Sequence, residues 1–200
     1  LVNLLGPAKN VQGRSLKMFE EREIGIGPKK GKKFKVNCPT SYLATIEFEN
    51  NSIIQLTLSF DVAAHQRNHI EVYGTKGSAI VPDPNMFGGS CHIFTSSSGK
   101  WNEYKTDEMH LGKINITSQS SRANESASNA NYRGVGLSEM AYSIEQNEAH
   151  RCSGELSLHV LDIILSTMKA CTTSSSQEIK TSCNKPDYFS DDDVRKLLII

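Results

Sequence analysis

No run of apolar residues in this chain approaches the roughly 18 that suggest a membrane span, and its opening residues lack the charged-then-apolar order of a secretory leader. Neither sign of charge is in excess. With 22 basic and 22 acidic residues, net charge predicts no nucleic-acid or anionic-membrane footprint. The five cysteines (Cys38, Cys91, Cys152, Cys171, Cys183) are odd in number and show no C-x-x-C spacing, which argues against a disulfide framework and against a zinc site. No Ser, His and Asp set and no metal-spaced His or Cys cluster is present. Gly27 to Lys33, GPKKGKK, has too short a glycine spacing for a phosphate-binding G-x-x-x-x-G-K-[ST] loop and lacks the Ser or Thr, so it reads as a solvated hairpin tip. These absences predict a soluble, cytoplasmic chain with no metal site. The N-x-S/T triplets starting at Asn50, Asn115 and Asn124 would matter only in a secreted protein.

What is present suits one large domain or two small ones. Leu1, Val2, Leu4 and Leu5, followed by Gly6 and Pro7, look like the last turn of an amphipathic helix. One turn cannot stand alone, so the expectation is a helix, and with it an upstream domain, that these 200 residues truncate. A strand pattern runs from Asn10 to Phe19. Two clearer ones, Tyr42 to Phe48 and Ser52 to Val62, flank a Glu-Asn-Asn turn, with Ile53, Leu58 and Phe60 expected to face a helical layer. His69 to Tyr73 and Ser78 to Val81 flank G-T-K-G, and short strands follow near His92 to Thr95 and Trp101 to Lys105. Hairpin connections make the sheet mainly antiparallel.

Residues 106–132 are rich in Ser, Asn and Ala without a sustained period, as in a lid or partner-contacting loop. Then comes the strongest helical pattern, 133–170, read as a helical hairpin. Leu137, Met140, Ala141 and Ile144 form one stripe of the first helix. The second helix carries two: Leu156, Val160, Ile163, Ile164 and Met168 on one face, Leu158, Leu161 and Leu165 on its neighbour. Covering on two sides is therefore expected, at roughly 1.5 to 3 kcal/mol for each fully buried aliphatic side chain. His159 falls on the first of these stripes, where a hydrogen-bonded core histidine is a more economical reading than an acid or base. His150 and Arg151, between the helices, suit local capping or a salt bridge. In the 180–200 tail, Ser190 and Asp191 to Asp193 mark a helix start.

Several segments taken together, VNCPT (36–40), LSFDV (58–62), HIEVYGTKGSAIVPDPNMFGG (69–89), RGVGLSEMAYSI (133–144) and HRCSGELSLHVLDII (150–164), resemble the C-terminal domain of the Gfo/Idh/MocA family of NAD(P)-dependent oxidoreductases. The resemblance implies an α+β fold like the C-terminal domain of dihydrodipicolinate reductase: an open, mainly antiparallel mixed β-sheet with helices packed on one face, its other face available for a homo-oligomer. It implies NAD or NADP in a full-length parent whose N-terminal Rossmann domain, with its glycine fingerprint and E-K-P lysine, is missing here. Accordingly no nucleotide is expected to bind these residues, and no catalytic residue is assigned among them. The implied ligand is a sugar, polyol or related hydroxy compound. By resemblance the strand end before HIEVYGTKG lies near the substrate pocket, making Asp61, His65 and Arg67 candidate contacts; the alternative is an exposed polar strand end. Ala63 stands where related members often carry an aromatic. Asp83 and Asn85, held between prolines and glycines, are further candidates, with a plain structural turn as the alternative. Two other classes stay open: a non-enzymatic self-association or protein-interaction module, and a stand-alone carbohydrate-binding domain.

Overall fold

A computed structural model describes residues 1–114 and 132–198; the triplets at Asn115 and Asn124 and most of the 106–132 loop lie outside them. In chain order the elements are α1 (Val2–Leu5), β1 (Ala8–Leu16), β2 (Glu21–Glu23), β3 (Lys33–Lys35), β4 (Ser41–Phe48), β5 (Ile53–Ser59), β6 (Ile70–Gly74), β7 (Gly77–Val81), a 3-10 turn (Pro84–Met86), β8 (Ser90–Thr95), β9 (Lys100–Lys105), α2 (Val135–Gln146), α3 (Gly154–Thr173), β10 (Gln177–Glu178) and α4 (Asp191–Leu198). All the ladders among the described residues are antiparallel. This is the α+β fold of mainly antiparallel sheet and few helices that the sequence predicts. The chain divides into two compact units: Leu1–His65 with Arg151–Asp187, and Gln66–His150 with Tyr188–Ile200.

The first unit is a four-stranded sheet, ordered β10-β1-β4-β5, with α3 lying along β1. Register decides which residues enter the core. Val11 pairs with Ile46 and Ile46 with Ile54; Gly13 pairs with Ala44 and Ala44 with Leu56. Paired residues share a face, so these positions form the inner face, and Ala8, Val11, Ala44, Ile46 and Phe48 bury there with Ala170, Cys171 and Ile179. Gly13 permits the close approach of α3: a Cβ there would lie 2.4 Å from the Leu43 carbonyl oxygen and 2.6 Å from Cys171 Sγ. In β5 the inward residues are thus Ile54 and Leu56, not the expected Ile53 and Phe60, which are 66 % and 82 % exposed. Leu58 shares the inner face opposite Tyr42 but lies at its exposed end.

Among the described residues, only one side of α3 is covered. Its inward face is His159, Ile163, Thr167, Ala170 and Cys171, while Leu158, Leu161, Ile164, Leu165 and Met168 are exposed. The polar members of the inward face are satisfied. Thr167 Oγ1 donates to Ile163 O at 2.7 Å. His159, 0 % exposed, accepts from the Ala8 N–H at Nε2 (3.0 Å), which leaves its proton on Nδ1, 3.1 Å from Thr181 Oγ1. Thr181 Oγ1 donates in turn to Asp162 Oδ2 (3.0 Å), and that carboxylate oxygen also accepts the Lys180 and Thr181 N–H groups. Burial pushes the Asp162 carboxyl up, but the bonds from Thr181, Ser166 and Lys180 together hold it below its ordinary value. The histidine is therefore a core residue that joins α3 to β1 and to the segment after β10.

The β2–β3 ribbon presents the lysine-rich segment as its solvated tip. In the hairpin between β4 and β5, Asn50 Oδ1 accepts from Ser52 N–H and Asn51 takes the left-handed conformation (φ 65°).

The second unit holds the meander β6-β7-β8-β9. No residue of its four strands is fully buried. Ile70 and Val81, with Val72, Ala79 and Ile93, share one face; Tyr73, Phe94 and Trp101 share the other. Helix α2 packs with α4, whose start is a reciprocal cap: Ser190 Oγ accepts from Asp193 N–H (3.2 Å) and Asp193 Oδ2 from Ser190 N–H (3.0 Å). The expected apolar stripe of α2 faces solvent, with Leu137 72 % and Ile144 70 % exposed, and the buried residues are Glu139 and Ser143. Helices α2 and α3 belong to different units, so the 133–170 segment supplies one helix to each.

Candidate functional site

Asp61 follows β5, where the chain leaves the sheet, and its side chain is only 6 % exposed. One carboxylate oxygen, Oδ1, receives Arg22 Nη2 from β2 at 2.7 Å. The other, Oδ2, accepts Thr40 Oγ1 (2.6 Å) and Ser41 Oγ (2.7 Å) from the start of β4. Ser59 Oγ lies 2.6 Å from Ser41 Oγ and accepts the Asp61 N–H at 3.0 Å, and Arg22 also donates to the Phe60 carbonyl. The Thr40 hydroxyl, then that of Ser41, and then the Arg22 guanidinium hold the Asp61 carboxyl below its ordinary value against its partial desolvation. Chemically this is an anionic hub that locks the β2–β3 ribbon and the ends of β4 and β5 together. His65 is exposed and ends the first segment of the first unit, while Arg67 belongs to the second, which begins at Gln66. Arg67 contributes to lowering the Glu71 carboxyl, whose main partners are the Tyr73 hydroxyl and then the Asn68 amide.

Asp83 and Asn85 belong to the second unit, in the turn that carries the chain from β7 to β8. Asp83 Oδ1 accepts the Asn85 N–H at 2.9 Å, capping the 3-10 turn, and its Oδ2 lies 3.8 Å from His69 Nε2. Asn85 receives Arg133 Nη2 twice, at its carbonyl (3.1 Å) and at Oδ1 (3.0 Å). The guanidinium carbon of Arg133 stands 6.0 Å from the Phe87 ring centroid, and the Phe87 and Tyr132 rings are 5.3 Å apart. Sequence reasoning thus selects Asp83 and Asn85 but misses His69, Phe87, Tyr132 and Arg133 beside them. It likewise misses Arg22, Thr40, Ser41 and Ser59 around Asp61. The only local signal was the clustering of small hydroxyl residues in PTS and SFD. Among the described residues, no three His, Cys, Asp or Glu side chains converge as metal ligands, and no helix is long and apolar enough to cross a membrane.

Residues 1–80 match the family model described as the GFO/IDH/MocA C-terminal domain. Solved structures share the fold over most of the chain's length. A levoglucosan dehydrogenase in complex with NADH and L-sorbose superposes with a TM-score of 0.62 at 16% identity, over 88% of this chain and 45% of its own. An oxidoreductase domain protein from Kribbella flavida gives 0.61 at 15% identity, over 86% and 44%. An oxidoreductase from Agrobacterium radiobacter, in complex with NAD+, L-tartaric acid and magnesium, gives 0.57 at 10% identity, over 89% and 45%. The chain spans about half the length of these structures. A comparison with curated proteins found no match.

The five candidates are divided between the two units. Asp61 and His65 lie in one unit; Arg67, Asp83 and Asn85 lie in the other.

Proposed function

We propose that this chain is the C-terminal part of an NAD(P)-dependent oxidoreductase acting on a sugar, polyol or related hydroxy compound. In this reading it supplies substrate-pocket residues and the oligomer interface. The observation that carries the reading is the family match over residues 1–80, together with a fold shared with dehydrogenases nearly twice its length.

The residues present do not fit a nicotinamide nucleotide. A dinucleotide cradle needs a strand, a G-x-G-x-x-G turn and the N-terminus of a helix in succession. No such glycine spacing occurs in the 200 residues, and α3, the longest described helix, is capped by the Ser153 hydroxyl and preceded by α2 and a coil rather than by a strand. Nucleotide binding and hydride transfer are therefore assigned to an N-terminal Rossmann domain of a longer parent. The exposed aliphatic face of α3 is consistent with further packing in that parent.

Asp83 and Asn85 are the substrate contacts best supported by geometry, because the turn that bears them is pinned by Arg133. Asp61 positions the strand end ahead of His65 and Arg67. Homo-oligomerisation through the open sheet is supported by the meander, whose apolar faces carry Val72 and Ile93 or Tyr73 and Trp101 without full burial.

The test is an assay of the longer parent with NAD+ and NADP+ against a panel of monosaccharides and polyols. Reduction of the nucleotide is expected. Asn85→Ala should raise KM with little change in kcat, the signature of lost uniform binding. A parent without a nucleotide domain, or micromolar nucleotide binding by these 200 residues in calorimetry, overturns the reading.

A further inference from the structure

The helical period places Leu158, Leu161, Leu165 and Met168 in one row on α3, on the side opposite the residues that meet the sheet. Each of the four leaves between 44 % and 56 % of its surface exposed. Single exposed aliphatic residues are ordinary on a protein surface. A row of four, with Ile164 also exposed beside it, is a contiguous patch of the kind that marks a contact surface. Its spacing of three, four and three residues is the a/d repeat by which helices pack side by side, and it runs for about 15 Å along the helix axis.

Two features fit this row to a second copy of itself. The spacing reads the same in both directions, so two antiparallel helices bring Leu158 against the partner's Met168 and Leu161 against the partner's Leu165. Charge is complementary in the same arrangement. Glu155 and Lys169 are exposed on one flank of the row, near the two ends of α3. An antiparallel pair sets Glu155 beside the partner's Lys169, and two-fold symmetry repeats the contact at the other end. A parallel pair would oppose each charge to its own copy. Asp162, midway along that flank, is engaged within the chain, where its Oδ2 accepts from Lys180 and Thr181. We propose that α3 is the contact through which two copies of this chain associate, antiparallel, about a two-fold axis at the middle of the helix. This goes beyond the oxidoreductase reading and needs no nucleotide. It also differs from the sheet contact suggested above, since α3 belongs to the first unit and the meander to the second. One helix pair of this length buries less than the ~1,200 to 2,000 Å² of a standard stable interface, so the association is weak, with a dissociation constant on the order of 100 μM.

The experiment is sedimentation velocity of the 200-residue chain from about 5 to about 500 μM, a range that spans the expected dissociation constant. Monomer at the lower end and mostly dimer at the upper end are expected. Leu161→Lys and Leu165→Lys should each weaken association at least about tenfold by placing an unpaired charge in the contact. At low micromolar concentration the chain is monomeric, so the same variants should keep the circular dichroism and the unfolding stability of the parent chain. Glu155→Lys and Lys169→Glu should each weaken association several-fold, and an equimolar mixture of the two should associate as the unmodified chain does, because every charge contact in the mixed pair is again between opposite signs. A monomer at the highest concentration overturns the proposal. Association that survives Leu161→Lys but is lost in Trp101→Lys puts the contact on the meander, which overturns the α3 contact and leaves the sheet reading standing. Charge reversals without effect overturn the antiparallel arrangement. In the longer parent, Leu161→Lys should reduce the assembly state and leave nucleotide reduction unchanged; loss of folding there would assign the row to the parent's own packing and overturn the proposal.

Discussion

Replacing His159 by Phe tests whether the buried imidazole is there for its nitrogens or its bulk. Phe keeps the ring and fills the space, so no large cavity forms. It removes the acceptor of the Ala8 N–H and the donor facing Thr181 Oγ1. An unsatisfied buried donor costs about 1 to 3 kcal/mol, and the loss of one ordinary hydrogen bond about 0.5 to 1.5 kcal/mol. Thr181 keeps its bond to Asp162, so the second loss lies near the lower value. The expected destabilisation is therefore about 1.5 to 3.5 kcal/mol. At ~2 to 4 °C per kcal/mol for a chain of this size, the melting temperature should fall by roughly 3 to 14 °C. Urea unfolding should show a lower midpoint at unchanged slope. Hydrogen exchange at the Ala8 amide should accelerate, and His159→Ala, which also opens a cavity, should be less stable still. A Phe variant as stable as the parent within about 0.5 kcal/mol, or an unchanged Ala8 exchange rate, would refute the hydrogen-bond account and leave His159 as mere filling.

Three further outcomes follow from the same structure. Gly13→Ala should destabilise by about 1 to 3 kcal/mol, because its Cβ meets the Leu43 carbonyl and Cys171 Sγ; thermal unfolding at parental stability would show that α3 does not approach β1 so closely. Leu161→Lys and Leu165→Lys, on the exposed face of α3, should change the stability of these 200 residues by no more than about 0.5 kcal/mol, whereas a helix covered on both sides would lose several times that. Asp61 has a folded-state pKa below its unfolded one, so its contribution is complete above the ordinary carboxylate value of about 3.9 and is lost as pH falls through the lower folded value. Amide exchange in β2 and β3 should accelerate over that acidic range in the parent; an Asp61→Asn variant that retains the same acid response in the ribbon would assign the effect elsewhere.

Much of this protein was legible in one dimension because its signals are local. Turn residues placed the β4–β5 and β6–β7 hairpins, Gly6 ended α1, and Ser190 with Asp193 capped α4, since each of these devices acts within a few residues. The ordered set of motifs also carried the family resemblance, and residues 1–80 match that family's model. Faces and partners were not legible, because a periodic stripe shows which residues lie together but not what covers them. Both apolar stripes of α3 satisfied the helical period, yet the sheet received the side bearing His159 and Thr167, and the His159 nitrogens find partners more than twenty residues away. In β5 the adjacent Ile53 and Ile54 made the inward phase ambiguous, and pairing of Ile54 with Ile46 resolved it. Asp61 could be chosen as a candidate by its chemistry, but its saturation by Arg22, Thr40 and Ser41 depends on strands that meet only on folding. The sequence alone thus determined the antiparallel elements and their turns, which short-range chemistry dictates; tertiary structure decided the buried faces and the Asp61 hub, because each is made by groups that only long-range packing brings into contact.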